Sequence, residues 1–278
     1  TVYEKRNLWE ESARARGKLT GHWPLYQIAR MVDRHTTRRA DAVCTITHRL
    51  RQHAIELGAA EDKVFVVGNG VDTGYFSPAP ADGQLRQKLL GDGTVLVAYI
   101  GSFFRFEGLP CLVRAAERLR TSHPAVRFVV VGDGEDGPAA RAIADDAGLS
   151  EICRFTGQIP FEQVLDHYRA TDILVYPRLA SPLTEMISPL KPLEAMATAR
   201  CVVASRVGGL EEIIEHDQTG LLVEPGSPNA LAKGIAAAAD SAELRERLGR
   251  AAREYVVRER QWEQMAGGYE RAYAACAR

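Results

Sequence analysis

The chain has 278 residues, 46% apolar and 26% charged, which excludes a disordered, collagenous or disulfide-stapled chain and allows one large domain or two modest ones. Its net charge of −1 excludes a globally basic nucleic-acid binder, so no nucleic-acid partner is expected. Five scattered cysteines, Cys44, Cys111, Cys153, Cys201 and Cys276, form no C-x-x-C pair and read as reduced thiols of a cytoplasmic protein, and no apolar run approaches the roughly 20 residues of a bilayer-spanning helix.

The opening stretch begins without Met in structured-looking sequence, so an upstream segment is expected. Through residue 51, basic residues such as Arg14, Arg16, Lys18, Arg30, Arg34 and Arg38 outweigh Glu4, Glu10, Glu11, Asp33 and Asp41. This is either a solvated helix face or a surface attracted to anionic lipid headgroups. Ala42 to Thr47 and Val64 to Val67 read as short strands, separated by a helix through Arg49 to Leu57 that stops at Gly58. The Gly-, Pro- and Asp-rich run that follows places a domain junction near Ser77 to Gly93.

From residue 94 onward, the β-branched runs TVLVAYI, RFVVVG, EICRFTG, DILVYP, CVVAS and TGLLVEP alternate with helical patterns. Continuous apolar strands separated by crossovers predict a parallel sheet covered on both faces. The covers are Leu109 to Thr121, Ala139 to Gly148, Phe161 to Ala170 and Pro189 to Ala199. Ser241 to Ala275 predicts one or two amphipathic helices.

Chemistry in such a fold belongs at the carboxyl edge of the sheet. Gly132 and Gly134 sit at a strand-to-helix turn, where they either admit a ligand to the backbone or simply make a tight turn. Ile100-Gly101-Ser102 ends the first strand of this sheet and leads into FFRFEG, which contains Arg105. Residues 100–108 carry neither G-x-G-x-x-G nor a Walker lysine, so nothing in that turn points to a dinucleotide oxidoreductase or a P-loop ATPase. Tyr176-Pro177-Arg178 through Lys191-Pro192-Leu193-Glu194 is the richest stretch. Lys191 and Glu194 stand three apart on one helix face, a cation for phosphate beside a carboxylate for ribose or sugar hydroxyls. A surface lysine and a glutamate that favours a helix start are the simpler alternative. Gly208-Gly209 opens another helix with N–H groups available to an anion.

These segments together resemble glycosyltransferase family 4, and within it the group associated with exosortase and exopolysaccharide loci. The resemblance is carried by YEKRNLWEE, RADAVCTIT, VVGNGVDTGYFSP, YIGSFFRFEGL, VVVGDGED, RFTGQIP, DILVYPRL, LTEMISPLKPLEAMA, VVASRVGGLEEII and TGLLVEPG, in family order over nearly the whole chain. It implies an α/β fold of two facing Rossmann-like lobes (GT-B type). It also implies a nucleotide-diphosphate sugar bound mainly by the second lobe, and transfer with retention of configuration. It implies no cofactor and no metal, because cations and helix dipoles stabilise the leaving diphosphate.

The chain departs from the pattern in several places. The family's phosphate-binding Arg and Lys fall at Ser102 and Glu107, neither of which neutralises a diphosphate. Lys191, Arg105 and Arg178 are then the expected cations. By spacing, the first of the family's two glutamates falls at Met186, one residue from Glu185, and the second at Glu194. Glu185 is expected on the donor sugar and Glu194 on the ribose. Ala199 replaces a usual Gly. A complete member would carry about a hundred further residues before Thr1, from the size of such a lobe.

The expected catalytic set is therefore Lys191, Arg105 and Glu185. The expected donor-binding set is Gly101, Ser102, Gly132, Gly134, Gly157, Ile159, Arg178, Leu193 and Glu194, with the base read by backbone between Thr156 and Ile159. The expected domains are 1–78, the end of an incomplete acceptor-side lobe; 79–255, the donor lobe; and 256–278, a terminal helix returning to the first lobe. The expected function is retaining hexosyl transfer to a glycan or lipid-linked acceptor in exopolysaccharide or cell-envelope synthesis, in the cytoplasm or peripherally at the inner face of the membrane. The alternatives are a non-catalytic nucleotide-sugar-binding subunit and, more weakly, a nucleotide-sugar epimerase.

Overall fold

The computed structural model describes residues 1–16 and 23–277; Lys18 of the basic stretch lies outside them. The chain opens with β1 (Val2–Lys5), α1 (Trp9–Ala15), α2 (Trp23–Arg39), β2 (Ala42–Thr45), α3 (His48–Glu56) and β3 (Val64–Val66). The three strands form a parallel sheet in the order β1-β2-β3. β1 was not foreseen, because VYEK sets two apolar residues before two charged ones, without strand alternation, over only four positions. Its lysine, Lys5, is buried and ion-paired with Asp33 of α2, which also accepts from Tyr3 Oη at 2.9 Å. The pairing lets a charged residue sit beneath a helix.

After α4 (Gly83–Leu90) the second sheet is assembled by β4 (Val95–Ile100), α5 (Leu109–Ser122), β5 (Val126–Val131), α6 (Gly137–Asp146), β6 (Cys153–Gly157), α7 (Phe161–Ala170) and β7 (Ile173–Tyr176). Then come α8 (Pro182–Met186), α9 (Lys191–Ala197), β8 (Cys201–Ser205), α10 (Gly208–Glu211) and β9 (Leu221–Val223), and α11 (Pro228–Asp240) and α12 (Ala242–Glu259) close this lobe. All six strands run parallel in the order β6-β5-β4-β7-β8-β9. Every run expected as a strand is one, and the α/β reading with crossover helices holds. β4 and β7 are buried along their whole length because helices cover both faces.

The C-terminal stretch forms two helices. α12 ends at Glu259, and α13 (Trp262–Cys276) packs on β2 and β3 of the first sheet. There Ala272 joins Ala42, Cys44 and Val67 in a small core. Ala199, in the turn between α9 and β8, has φ 56°, the left-handed region in which an L-residue is strained.

Candidate functional site at the carboxyl edge of the second sheet

The six-stranded order reverses direction at β4, whose chain neighbour β5 lies on one side and β7 on the other. Crevices at such switch points are where open α/β sheets take ligands. A cleft of about 210 Å³ opens there, lined by Ile100, Gly101 and Ser102 after β4, Val131, Gly132 and Asp133 after β5, Gln158 and Ile159 after β6, Val164 of α7 and Lys191 of α9. Of the residues expected from sequence, Gly101, Ser102, Gly132, Ile159 and Lys191 are thus brought together.

Two of the glycines are explained by backbone crowding. A Cβ on Gly132 (φ 132°) would stand 1.9 Å from the Gly101 carbonyl oxygen, and one on Gly134 (φ 150°) would stand 2.7 Å from that of Phe103. Fully buried Phe103 is clasped by these turns: its N–H donates to Asp133 O at 2.9 Å, and its carbonyl accepts from Asp136 N at 2.9 Å. Gly132 therefore serves both cleft and turn, whereas Gly134 seats Phe103 and does not line the cleft. Gly157 (φ 75°) stands behind, accepting from Gly132 N at 2.9 Å. Beside this clasp, Asp136 has one carboxylate oxygen buried without a partner, and burial raises its pKa despite nearby Arg105.

Lys191 and Glu194 are arranged as a unit. Lys191 Nζ lies 3.1 Å from Glu194 Oε2, and the same oxygen accepts from Tyr168 Oη at 2.9 Å. Tyr176 Oη donates to the Lys191 carbonyl at 2.9 Å. Both tyrosines are buried, and desolvation holds their hydroxyls well above the ordinary range, so they act as fixed donors. Together they orient the first turn of α9 from below. Leu193, expected near the donor, is a fully buried core residue and lies outside the cleft lining.

Three expected residues lie outside the cleft lining, and two of them have other partners. Arg178 is buried and forms a two-pronged pair with Glu107: Nη2 to Oε1 at 2.7 Å and Nε to Oε2 at 3.1 Å, while Nη1 donates to Ile187 O at 3.1 Å. A buried carboxylate at Glu107 demands such a cation, which turns the guanidinium away from the cleft lining. Arg105 is exposed in the short turn after β4 and is not a lining residue. Glu185 accepts from Gly208 N at 2.9 Å and from Arg49 Nη1 of the first lobe at 3.2 Å. The anion at the paired glycines is thus a carboxylate of the chain itself. Sequence reasoning overlooked Asp133, Val164 and Tyr168; Asp133 stood inside the quoted VGDGED, but no pattern ties Tyr168 to a glutamate on another helix.

The first lobe meets this edge directly. Glu212 accepts from His48 N at 2.8 Å and Arg49 N at 2.9 Å, capping α3 from across the lobe boundary. Thr47 Oγ1 donates to Met186 O at 2.6 Å, and Asn69 Nδ2 to Ser188 O at 2.8 Å. Leu8, Ile46, Leu50 and Leu183 form an apolar cluster between them.

The sequence pattern of the glycosyl transferases group 1 matches residues 82–255, and that of glycosyltransferase family 4 matches residues 7–75. A D-inositol 3-phosphate glycosyltransferase of Corynebacterium glutamicum is 30% identical over 84% of this chain and 57% of its own length. An alpha-maltose-1-phosphate synthase of Mycolicibacterium smegmatis is 29% identical over 87% of this chain and 65% of its own. The chain thus spans somewhat under two thirds of these curated relatives. Among solved structures, the Anabaena HepE protein in complex with UDP and glucose superimposes with a TM-score of 0.81 at 20% identity, over 98% of this chain and 71% of that one. The sucrose-phosphate synthase of Thermosynechococcus elongatus does so with a TM-score of 0.81 at 24% identity, over 98% and 67%. The matched pattern covers most of the chain and coincides with the sheet that carries the cleft: the chain belongs to the group 1 glycosyl transferases.

Proposed function

We propose that the cleft above β4, β5 and β6 holds the nucleotide-diphosphate sugar of a retaining hexosyl transfer. The observation that carries the reading is Lys191: among the described residues that line the cleft it is the one cation, oriented by Glu194 and the two buried tyrosines beneath it. In this reading the diphosphate lies along Gly101 and Ser102 towards Lys191, the ribose reaches Glu194, and the base rests on Gln158, Ile159 and Val164. The bond from the sugar's anomeric carbon to the diphosphate oxygen breaks, the acceptor hydroxyl attacks from the same face, and its proton passes to the departing diphosphate. Lys191 stabilises the charge that develops on that oxygen. The chain needs no resident metal in this scheme, so EDTA leaves diphosphate binding unchanged.

The acceptor in this proposal is a glycan or lipid-linked saccharide of exopolysaccharide or cell-envelope synthesis, reached from the membrane surface. α2 supports the membrane part: Leu25, Ile28, Met31 and Val32 are exposed, beside Arg30, Arg34, Arg38 and Arg39, a pattern suited to anionic lipid. Sedimentation with phosphatidylglycerol vesicles but not phosphatidylcholine vesicles, lost in Ile28→Asp, is the expected result. Among the described residues no helix is long and apolar enough to cross a membrane.

Calorimetric titration with UDP and GDP, with AMP as control, tests the donor site. HepE was crystallised with UDP, and a relative from Mycobacterium tuberculosis, 27% identical, is named a GDP-mannose-dependent mannosyltransferase. One diphosphate is expected to bind, and Lys191→Ala to weaken it by about 1.5–3 kcal/mol, the scale of a charge-assisted contact. A change within error removes Lys191 from the site.

A further inference from the structure

Three successive carbonyls ahead of α9 are each held by a different side chain. Met186 O accepts from Thr47 Oγ1 at 2.6 Å, Ile187 O from Arg178 Nη1 at 3.1 Å, and Ser188 O from Asn69 Nδ2 at 2.8 Å. Met186 closes α8, and the backbone beyond it, extended at Ile187, lies in no strand ladder; these carbonyls have no regular partners of their own, so the side chains set the path. The path runs straight into Lys191. Of the three anchors, only Arg178 belongs to the second lobe, and it is itself held by both oxygens of Glu107. The strut is reinforced around that pair. Leu179 N donates to Phe106 O at 2.9 Å, and a Cβ on Gly108 would come 2.2 Å from Pro177 O, so the loops after β4 and β7 are in direct backbone contact.

We propose that Glu107 and Arg178 form a positioning pair: Arg178, locked by Glu107, fixes the Ile187 carbonyl and through it the segment that sets Lys191, with Glu194 beside it, at the cleft. Glu107 then has the opposite relation to an anionic ligand from the one its charge alone gives. Its carboxylate repels a diphosphate through space, yet its loss frees Arg178 from the loop and disorders the lysine that binds. The two effects have opposite signs, which makes the assignment decidable. The effect on binding rests on the donor-site reading above; the effect on local order rests on the contacts alone.

The experiment compares the intact chain with Glu107→Gln, Arg178→Lys and Arg178→Met. Hydrogen–deuterium exchange without ligand reads the order of the segment. Amides of residues 187–194 are expected to exchange at least about tenfold faster in Glu107→Gln and Arg178→Met, the scale of losing a hydrogen bond to a charged group, while those of β8 and α12 keep their protection. Arg178→Lys, which keeps the charge but not the fork, is expected to fall between. Unchanged exchange at 187–194 overturns the proposal, as does equal acceleration in β8, which marks general destabilisation. In UDP or GDP titration, Glu107→Gln is expected to bind at least about tenfold more weakly than the intact chain, with Lys191→Ala adding little to it. Tighter binding by Glu107→Gln overturns positioning and makes Glu107 a plain repulsive charge. An intact chain that binds neither nucleotide refutes the donor reading, and the exchange result then decides the positioning pair by itself.

Discussion

Glu212 is the test of how firmly the second lobe holds the first. Its two carboxylate oxygens take the His48 and Arg49 N–H groups at 2.8 and 2.9 Å, two of the amides that a helix start leaves without intrahelical partners. A third, Leu50 N, is taken by Thr47 Oγ1 at 3.0 Å. Glu212→Ala therefore removes a cap while leaving the Thr47 one in place. Cap losses cost about 0.5–2 kcal/mol, and a carboxylate at a helix N-terminus sits at the upper part of that scale. We expect Glu212→Ala to lower the urea unfolding free energy by about 1–2 kcal/mol, and Glu212→Gln by about half as much. The control is Glu211→Ala. Glu211 meets the Arg49 guanidinium at 3.0 Å with both side chains at least one-third exposed (49% and 33%), and such pairs contribute about 0–1 kcal/mol. Equal losses in Glu212→Ala and Glu211→Ala would refute the reasoning, because water would then satisfy the α3 amides as well as the carboxylate does.

Ala199→Gly relieves a positive φ at some cost in unfolded-chain entropy, so a gain of about 0.5–1 kcal/mol in thermal or urea unfolding is expected. Burial and the Lys5 charge lower the pKa of His53 from its ordinary 6.5. The unfolded chain therefore binds the proton first as pH falls, and the His53 contribution, complete above 6.5, is lost as pH drops through the depressed folded value. The stability difference between the intact chain and His53→Gln should move in the chain's disfavour between pH 7.5 and 5.5; a constant difference refutes it. Burial pushes the thiols of Cys111 up to about 11 and of Cys153 and Cys201 up to about 12. Iodoacetamide at pH 8 should then label half-exposed Cys276 in the native chain and the buried cysteines only after unfolding, read by peptide mass. Gly132→Ala should abolish native expression or nucleotide binding, since its Cβ would overlap the Gly101 carbonyl at 1.9 Å.

The second sheet was legible because its strands are covered on both faces and read as unbroken apolar runs, VVVG and LVAYI among them. β1 was not, because Lys5 enters the interior only through Asp33, a partner on α2 that no local pattern announces. α11 was also passed over, although Ser227 caps it by accepting from Ala230 N at 3.2 Å and Pro228 opens it, both start signals readable in sequence. At the site, glycine turns and Lys191 could be placed from motif and strand order, since the carboxyl edge follows from topology. The partners of Arg178 and Glu185 could not. Each pairs with a residue distant in sequence, Glu107 and Arg49, and ion pairing between loops leaves no periodic trace. An arginine in a motif reads as an anion ligand until the buried carboxylate beside it is known.

The return of α13 to the first sheet has a mechanical consequence. The chain leaves the first lobe after Val71 and re-enters it at Gln261, and these two crossings lie side by side, with Val71 N donating to Arg260 O at 2.8 Å. Two lobes joined by a single strand can swivel freely; two adjacent connections bonded to each other leave one easy rotation, about the line through them. Such a rotation would part the Glu212, Thr47 and Asn69 contacts at the cleft edge while the Val71–Arg260 bond stays closed. Because Asn69 and Thr47 also hold the carbonyls on either side of Ile187, parting the lobes would release two of the three anchors on the segment that leads to Lys191 and leave Arg178 as the third.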